Sequence, residues 1–198
     1  VNRILMPYLL EAVELENEGV PPAEIDRQAV AFGMPMGPIE LADTVGLDIC
    51  LHVGQILAEH LGVKVPDRLG SLVNQGRLGR KSGQGFYEYK KDKAIKPKIP
   101  SSYHPNSDVT DRMVLRMLNE AVACLREKVV DDEDMLDGGM IFGTGFAPFR
   151  GGPTKYIKTE GADVMLQRLH SLEEKYGERF KPDAGWESLS GFSKSEGE

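Results

Sequence analysis

Histidine and cysteine, which often perform catalysis or bind metals, occur only four times and twice in this 198-residue sequence. The four histidines, His52, His60, His104 and His170, show no metal-ligand spacing. Gly83-Gln84-Gly85 lacks the third glycine of a dinucleotide-binding loop, and no helical pattern follows it. We therefore expect no metal site, and we interpret the histidines as solvated or packed residues.

The polar residue of most interest is Asn2, which opens the first helical pattern. A primary amide can donate from nitrogen and accept at oxygen without ever acting as a base. Donation to an oxygen whose charge changes during a reaction is worth ~2.7–4 kcal/mol when the donor is preorganised in a dry site. Periodicity alone favours a simpler hypothesis, in which the Asn2 side chain bonds the backbone near the helix start.

The composition is typical of a soluble globular protein. The net charge of −7 argues against a nucleic-acid partner. Cys50 and Cys124 lie in apolar helical patterns and are typical of core residues in a reducing compartment. No apolar run approaches the ~20 residues that are needed to span a bilayer. Because helical periodicity starts with the first residue and no initiator methionine is present, we expect a fragment of a longer protein.

Two sequence patterns recur in the same order about 110 residues apart, which indicates an internal duplication. Residues 2–12 match 111–121, and residues 31–38 match 141–148. We predict an all-α fold of two homologous multi-helix units. The predicted division is a first repeat at 1–92, a linker at 93–107, a second repeat at 108–185 and a flexible tail at 186–198.

Proline and glycine divide the first repeat into helices. Pro22 and Pro38 each stand at a predicted helix start, and Gly33 and Gly46 follow the predicted ends. Further helices are predicted at 48–61 and 67–75, before a glycine-rich loop and a short extended segment. Apolar residues at helical spacing predict core-facing helices in the second repeat: Met113, Met117, Ala121 and Leu125, then Met165, Leu169, Leu172 and Tyr176.

The sequence resembles the 3-hydroxyacyl-CoA dehydrogenase family in three ordered stretches. These are Asn2-Arg3 with Pro7-Tyr8-Leu9, Leu15 and Gly19; Phe32-Gly33-x-Pro35-Met36-Gly37-Pro38 with Asp43 and Gly46-Leu47-Asp48; and Gly79-x-Lys81-x-Gly83-x-Gly85-Phe86-Tyr87. Residues 142–153 also resemble a segment of the multifunctional α-subunit type, whose chain carries an enoyl-CoA hydratase domain as well. The resemblance extends to about residue 180.

The resemblance implies the helical C-terminal part of an NAD-dependent enzyme of fatty-acid β-oxidation. Such enzymes oxidise 3-hydroxyacyl-CoA to 3-oxoacyl-CoA, with a His–Glu pair in an NAD-binding domain that precedes these helices. We expect this chain to lack that domain and to be catalytically silent alone. The bacterial cytoplasm is the expected location, with mitochondria and peroxisomes left open.

The resemblance assigns a role to Asn2, which matches the family asparagine that faces the reacting end of the substrate. Periodicity favoured a bond from the Asn2 side chain to the backbone, but the resemblance favours a role in function. Asn2 is therefore our candidate catalytic and substrate-binding residue. Asp111 holds the matching place in the second repeat and cannot offer the same donor when it is ionised. We therefore expect no second active site.

The resemblance also implies contacts for five other residues. Met36, Gly37 and Pro38 are expected to wall the substrate with open backbone donors at a helix start; the alternative is a turn that links two helices. Phe142 matches an aromatic residue beside the acyl chain, where the multifunctional type usually has tyrosine, and core packing is the alternative. Lys81 matches a lysine that reaches the nicotinamide cofactor, unless it is simply solvated.

Partners follow from the same resemblance. We expect acyl-CoA as substrate, NAD as cofactor, the protein's own upstream NAD-binding domain, and a homodimer or a thiolase subunit. Between residues 77 and 98 eight basic and two acidic residues occur, a stretch that could attract phosphates of CoA or NAD but is more often a solvated linker. The competing hypothesis is a non-catalytic helical module that docks other subunits of the β-oxidation complex.

Overall fold

The computed structural model describes residues 1–61 and 64–190, apart from the side chains of residues 60, 61 and 190. The predicted all-α fold is confirmed, since the described residues form ten α-helices and a single two-stranded hairpin. The helices are α1 Asn2–Asn17, α2 Pro22–Phe32, α3 Pro38–Val45, α4 Leu47–Leu61, α5 Asp67–Asn74, α6 Val109–Arg126, α7 Glu133–Thr144, α8 Pro153–Glu160, α9 Ala162–Tyr176 and α10 Trp186–Ser190. Three 3-10 turns occur at Arg80–Ser82, Pro148–Arg150 and Glu178–Phe180.

Residue contacts divide the chain into two compact units. One is Met6–Met113, called here the 6–113 unit. The other joins Val1–Leu5 to the chain from Val114 onward, and it is called the 114–190 unit after its described part. The division passes through helices α1 and α6. It does not test the repeat boundaries expected from the sequence, which stay a prediction.

The 6–113 unit contains a buried ion cluster. Arg112 on α6 donates from Nε to Glu11 Oε1 at 2.8 Å, and the side chains of Arg112 and Glu11 are only 1% and 2% exposed. The same guanidinium contacts both carboxylate oxygens of Glu18 at 2.5 and 2.8 Å. The charge on Arg112 is therefore met by Glu11 on α1 and by Glu18, the residue that directly follows α1.

The 114–190 unit repeats this arrangement with the roles of the helices exchanged. Arg3 on α1 donates to Glu120 Oε1 at 2.5 Å and to Glu127 Oε2 at 2.7 Å. Each of these residues is numbered 109 away from its counterpart in the Arg112 cluster. The match of residues 2–12 with 111–121 therefore has a structural basis in paired arginine–glutamate contacts.

The second predicted match is out of register. In each unit an eight-residue helix begins at a Gly-Pro pair and is followed by a glycine with positive φ and a 15-residue helix. Gly37-Pro38 thus corresponds to Gly152-Pro153, and not to Ala147-Pro148 as the sequence alignment had it. The reason is that the segment between α7 and α8 is longer and holds the 3-10 turn Pro148–Arg150.

Two further expectations need correction. The predicted linker begins with strand β2, Lys93–Ile95, which pairs antiparallel with β1, Glu88–Lys90. The expected flexible tail does not begin at residue 186, because Trp186 starts α10, is 1% exposed and donates from Nε1 to Asn119 Oδ1 at 2.8 Å. Residues 191–198 lie outside the described part of the chain.

Most predicted core positions are buried. Met113, Met117 and Ala121 on α6, and Met165, Leu169 and Leu172 on α9, are almost inaccessible, and so are Cys50 and Cys124. Over residues 1–61 and 64–190, no single helix has the length and apolar character to cross a membrane. The pair Pro38–Val45 and Leu47–Glu59, bent by 100°, meets that test only when the two helices are taken together.

Candidate functional site

The start of α3 is held by a buried carboxylate on α2. Asp26 is 1% exposed, and it accepts from the backbone N–H of Ile39 at 2.8 Å and of Glu40 at 3.2 Å. These N–H groups are among the helix donors that have no partner within the helix itself. The donors of Ile39 and Glu40, which follow Pro38, are therefore occupied by Asp26 and are not open to a ligand. The substrate contacts expected of Met36, Gly37 and Pro38 stay a prediction.

Gly37 is required by the closeness of this carboxylate. A Cβ atom placed on Gly37 would lie 2.2 Å from Cβ and Cγ of Asp26, far inside van der Waals contact. Gly37 and Pro38 are buried, whereas Met36 keeps part of its surface exposed. Only Met36 of the three is therefore accessible enough in this chain to contact a ligand through its side chain.

A second buried carboxylate organises the glycine-rich segment after α5. Asp43 on α3 is fully buried and accepts from the backbone N–H groups of Phe86 and Tyr87, both at 2.9 Å, and from the Tyr89 hydroxyl at 3.0 Å. Cβ atoms placed on Gly79 and Gly85 would lie 2.2 Å from the Asp43 carbonyl oxygen and 2.0 Å from Asp43 Oδ1. The glycines are therefore needed because the segment folds tightly around one aspartate.

Tyr87 connects the two carboxylates. Its backbone N–H donates to Asp43, and its hydroxyl donates to Asp26 Oδ2 at 2.8 Å. Burial raises the pKa of Asp26 and of Asp43, and these hydrogen bonds oppose the rise. Burial also raises the pKa of Tyr87, so its hydroxyl stays protonated and remains a donor. The segments around Pro38 and Tyr87 are thus joined by one hydrogen-bonded network.

Lys81 lies in the 3-10 turn between Gly79 and Gly83, on the outside of this network. Its Nζ donates to both carboxylate oxygens of Asp48 at 2.5 and 2.7 Å, and both side chains are nearly half exposed. The pairing lowers the pKa of Asp48. Lys81 is therefore neither freely solvated nor buried, and its ammonium is held at an accessible place beside the start of α4.

Asn2 and Phe142 belong to the 114–190 unit. Asn2 is exposed, and its side chain has no hydrogen bond with any described residue, so the expected bond to the backbone near the helix start is absent. Phe142 is 92% exposed, which contradicts core packing within this chain. A Cβ atom placed on Gly143 would lie 3.0 Å from Val1 Cγ2. Val1, which directly precedes α1, therefore lies beside the end of α7.

The predicted residues fall in different units. Met36, Gly37, Pro38 and Lys81 belong to the 6–113 unit, and Asn2 and Phe142 to the other. The described part of the chain includes cavities of about 560, 360 and 320 Å³, and none of them is lined by a predicted site residue. Within the same limits no group of three or more His, Cys, Asp or Glu side chains is placed to hold a metal ion.

Comparison with known proteins shows which proteins this chain is similar to. The family described as 3-hydroxyacyl-CoA dehydrogenase, C-terminal domain, matches residues 1–89. The fatty acid oxidation complex subunit alpha of Vibrio vulnificus is 42% identical over 195 residues, which cover 93% of this chain and 28% of that relative. Residues 1–89 thus match the 3-hydroxyacyl-CoA dehydrogenase C-terminal domain family. The chain spans just over a quarter of the length of the curated relatives it matches.

Two solved structures are similar to this chain. The dehydrogenase part of multifunctional enzyme 1 from C. elegans has a TM-score of 0.71 and 25% identity, and the match covers 95% of this chain and 46% of that one. The 3-hydroxybutyryl-CoA dehydrogenase of Escherichia coli K12 has a TM-score of 0.74 at 21% identity, covering 96% of this chain and 59% of that one. The E. coli enzyme thus shares the fold.

The 6–113 unit owes its internal order to residues that the sequence analysis left without a role. Asp26 was not singled out, and Asp43 was only quoted as part of a motif. The signal that could have found them is glycine: Gly37 next to a helix-starting proline, and Gly79 and Gly85 in one loop, indicate close approach of another group. Which residue approaches cannot be deduced from spacing.

The 114–190 unit uses the same device. Asp137 on α7 accepts from the backbone N–H groups of Thr154 and Lys155 at 2.7 and 3.0 Å, and from the Thr154 hydroxyl at 2.6 Å. A Cβ atom on Gly152 would lie 2.4 Å from Asp137. Asp137 thus corresponds to Asp26, and Thr154 supplies the side-chain hydroxyl that Tyr87 supplies in the 6–113 unit.

Proposed function

We propose that this chain is the C-terminal part of an NAD-dependent 3-hydroxyacyl-CoA dehydrogenase of fatty-acid β-oxidation, acting on the 3-hydroxy group of an acyl-CoA. The observation that carries the proposal is the amide of Asn2, which is exposed and has no hydrogen bond with a described residue. The family match over residues 1–89 and the bacterial fatty acid oxidation relatives support the substrate class and a bacterial cytoplasmic setting.

Asn2 would hold the substrate oxygen at carbon 3. Its nitrogen donates to that oxygen while the oxygen loses its proton, and its neutral side chain takes no proton in exchange. The first turn of α1 is fixed for this task, because Arg3 is anchored by Glu120 and Glu127. An amide on a fixed helix end provides the preorganised donor that transition-state stabilisation requires.

Phe142 and Met36 would contact the acyl part of the substrate. Phe142 exposes 92% of its surface, an unusual state for a large aromatic side chain that has no ligand or partner. As phenylalanine it can offer only apolar contact, so the hydroxyl contact of the usual tyrosine has no counterpart here. Gly37 and Pro38 would act indirectly, by setting the position of Met36.

The residues present fit NAD only in part. Lys81 is an accessible ammonium held by Asp48, suited to a polar group or phosphate of the dinucleotide. No phosphate-binding glycine loop accompanies it, so we propose that the main NAD-binding domain belongs to the part of the relatives that this chain does not cover. When it is bound, NAD supplies the acceptor for the hydride that leaves carbon 3.

The test is the turnover of the full-length protein with a 3-hydroxyacyl-CoA, followed by the absorbance of NADH. Replacing Asn2 by Ala should lower kcat about 10²–10³-fold, the usual effect of losing one such donor. Asn17→Ala is a matched control, because Asn17 is an exposed asparagine at the other end of α1. Full turnover of the Asn2→Ala protein would refute the assigned role.

One observation favours a second candidate, a helical module that docks a thiolase subunit or another copy of the protein. Helix α7 exposes Met135 by 56% and Phe142 by 92%, and Cβ atoms placed on Gly138 and Gly139 between them would meet nothing within 4 Å. Such a face allows close approach of another helix. Met135→Ser with Phe142→Ser should then abolish assembly, while Asn2→Ala leaves both assembly and turnover intact.

A further inference from the structure

A row of four charged side chains links the first turn of α1 to the segment before α10, all within the 114–190 unit. Arg3 donates to Glu127 Oε2 at 2.7 Å, and Glu127 Oε1 accepts from Arg126 at 2.9 Å. Arg126 also donates to both carboxylate oxygens of Asp183, at 2.8 Å each. We propose that Arg126 and Asp183 are positioning residues for the Asn2 amide, an inference that rests on the proposed dehydrogenase function.

The ion pairs of Arg3 set the direction in which Asn2 points. Successive side chains of a helix are about 100° apart, so these ion pairs fix the rotation of the helix end without contacting the amide itself. The backbone of this turn is closed, because Ile4 and Leu5 donate to the Val1 carbonyl at 3.1 and 2.9 Å. A rotation of the turn would carry the amide away from a reacting oxygen, and misplacement by ~1 Å can cost about 10²-fold in rate.

The Asp183 carboxylate is held in place by its own segment. Its Oδ1 atom accepts from the backbone N–H of Gly185 at 2.7 Å, and its backbone N–H donates to Asn119 Oδ1 at 2.8 Å. A Cβ atom placed on Gly185 would lie 2.8 Å from Val122 Cγ1 and 3.3 Å from Arg126 Cβ, so the segment lies directly against α6. The Asp183 side chain is only 14% exposed. It therefore provides a fixed point to which Arg126 is tied.

The end of α6 places Arg126 and Glu127 side by side. The N–H of Val129 donates to the Cys124 carbonyl at 2.9 Å, the long hydrogen bond of a Schellman C-cap. Lys128 occupies the left-handed position of this cap with a φ of +55°, a conformation that glycine adopts more easily. The helix therefore ends at a defined residue, and the planar guanidinium just before the cap can contact a carboxylate on each side.

The duplication provides an internal comparison. At the offset of 109 residues that relates the two arginine clusters, Glu18 is the counterpart of Glu127, and Asn17 is the counterpart of Arg126. The cluster of the 6–113 unit therefore has an uncharged side chain where the other cluster has its second arginine. Because that cluster pairs α1 with α6 without an arginine at this position, the pairing itself does not require one. The additional arginine belongs to the cluster beside Asn2.

Arg126→Gln and Asp183→Asn in the full-length protein should each lower kcat about threefold to tenfold, because the Asn2 amide stays present but is less well positioned. The KM for the 3-hydroxyacyl-CoA and the KM for NAD should stay within about twofold, since the affected interaction is made in the transition state. Lys158→Gln is the matched control, because it also breaks an exposed ion pair of this unit, with Glu133, and should leave kcat unchanged.

The deciding measurement is a double-mutant cycle with Asn2→Ala. If Asp183 acts through the amide, Asp183→Asn should cause no further loss of kcat in the Asn2→Ala protein. A merely structural role, such as a smaller folded fraction, would lower kcat by the same factor in both backgrounds and would overturn the proposal.

The proposal also fails if both single variants keep the wild-type kcat, or if a KM rises while kcat stays unchanged. Full turnover of the Asn2→Ala protein would refute the role of Asn2 and this inference with it. A slow Asn2→Ala protein in which Asp183→Asn still lowers kcat by its usual factor would refute this inference alone.

Discussion

Arg112 Nε lies 2.8 Å from Glu11 Oε1, and both side chains are almost completely shielded from water. Burial of two charges costs free energy that only good geometry and further hydrogen bonds offset. Here Glu18 supplies the further contacts, at 2.5 and 2.8 Å from the same guanidinium. The cluster therefore specifies one register of α1 against α6, because any other register would separate the buried Arg112 and Glu11 charges from each other.

Arg112→Ala should destabilise the chain by about 3–5 kcal/mol, because it removes the guanidinium that faces the buried Glu11 carboxylate at 2.8 Å. The free energy of unfolding in urea measures the loss. Arg3→Ala is the matched control and should cost less, because the side chains of Arg3 and Glu127 are 22% and 37% exposed. The double variant Arg112→Met with Glu11→Leu should recover most of the stability. Equal losses for Arg112→Ala and Arg3→Ala would contradict this account.

Gly37→Ala should destabilise by roughly 1–3 kcal/mol through overlap of the new methyl group with Asp26. Gly152→Ala should do the same through Asp137, with added strain because Gly152 has a φ of +101°. Gly138→Ala is the opposite case, since Gly138 lies inside α7 with open space around it, and it should stabilise by about 0.5–1 kcal/mol. Thermal unfolding of the three variants checks the signs; a stabilised Gly37→Ala protein would show that Asp26 moves freely.

The stability conferred by Asp43 should depend on pH in the direction that burial dictates. Burial raises the pKa of Asp43 above its ordinary value of 3.8, so the folded state binds the proton more tightly than the unfolded state. The stability linked to this proton is complete below pH 3.8 and is lost as the pH rises through the folded pKa. The advantage of the wild type over Asp43→Asn should therefore shrink with rising pH.

Urea unfolding of the wild type and of Asp43→Asn across this pH range measures that difference. Asp92→Asn, in the exposed hairpin turn of the same unit, should show a difference that is nearly independent of pH. If the advantage instead grows with pH, the three hydrogen bonds to the carboxylate outweigh its burial.

Lys81→Met in the full-length protein should raise the KM for NAD about tenfold or more, since a hydrogen bond to a charged group is worth about 1.5–3 kcal/mol. The KM for the acyl-CoA should change little. Arg80→Met is the control, because Arg80 is the exposed neighbour in the same turn and has no assigned contact. Equal effects of the two variants would indicate general electrostatic attraction, and an unchanged KM for NAD would exclude Lys81 from the cofactor site.

Local rules predicted the helices well wherever proline and glycine mark the ends. Pro22 and Pro38 start helices, and Gly33 and Gly46 follow them, as the residue types require. The same rules could not identify Asp26 or Asp43, because a buried carboxylate that caps a helix is recognised only when two elements meet. The structured position of Trp186 was not predicted either, because its hydrogen-bond partner Asn119 lies 67 residues earlier in the chain.

The sequence predicted individual residues of the candidate site but not the contacts that these residues make. Resemblance selected Asn2, Phe142 and Lys81, and their accessible positions agree with contact to a ligand. Residue spacing did not predict the partners of these groups. Lys81 is paired with Asp48, and the backbone donors after Pro38 are occupied by Asp26.

The two arginine clusters have a consequence for how a duplicated chain can be divided. A cut within residues 93–107 would leave Arg3, Glu11 and Glu18 on one piece, and Arg112, Glu120 and Glu127 on the other. Each piece would then carry charges whose partners are on its counterpart. Such halves should be poorly folded when produced singly and should regain structure by complementation when produced together.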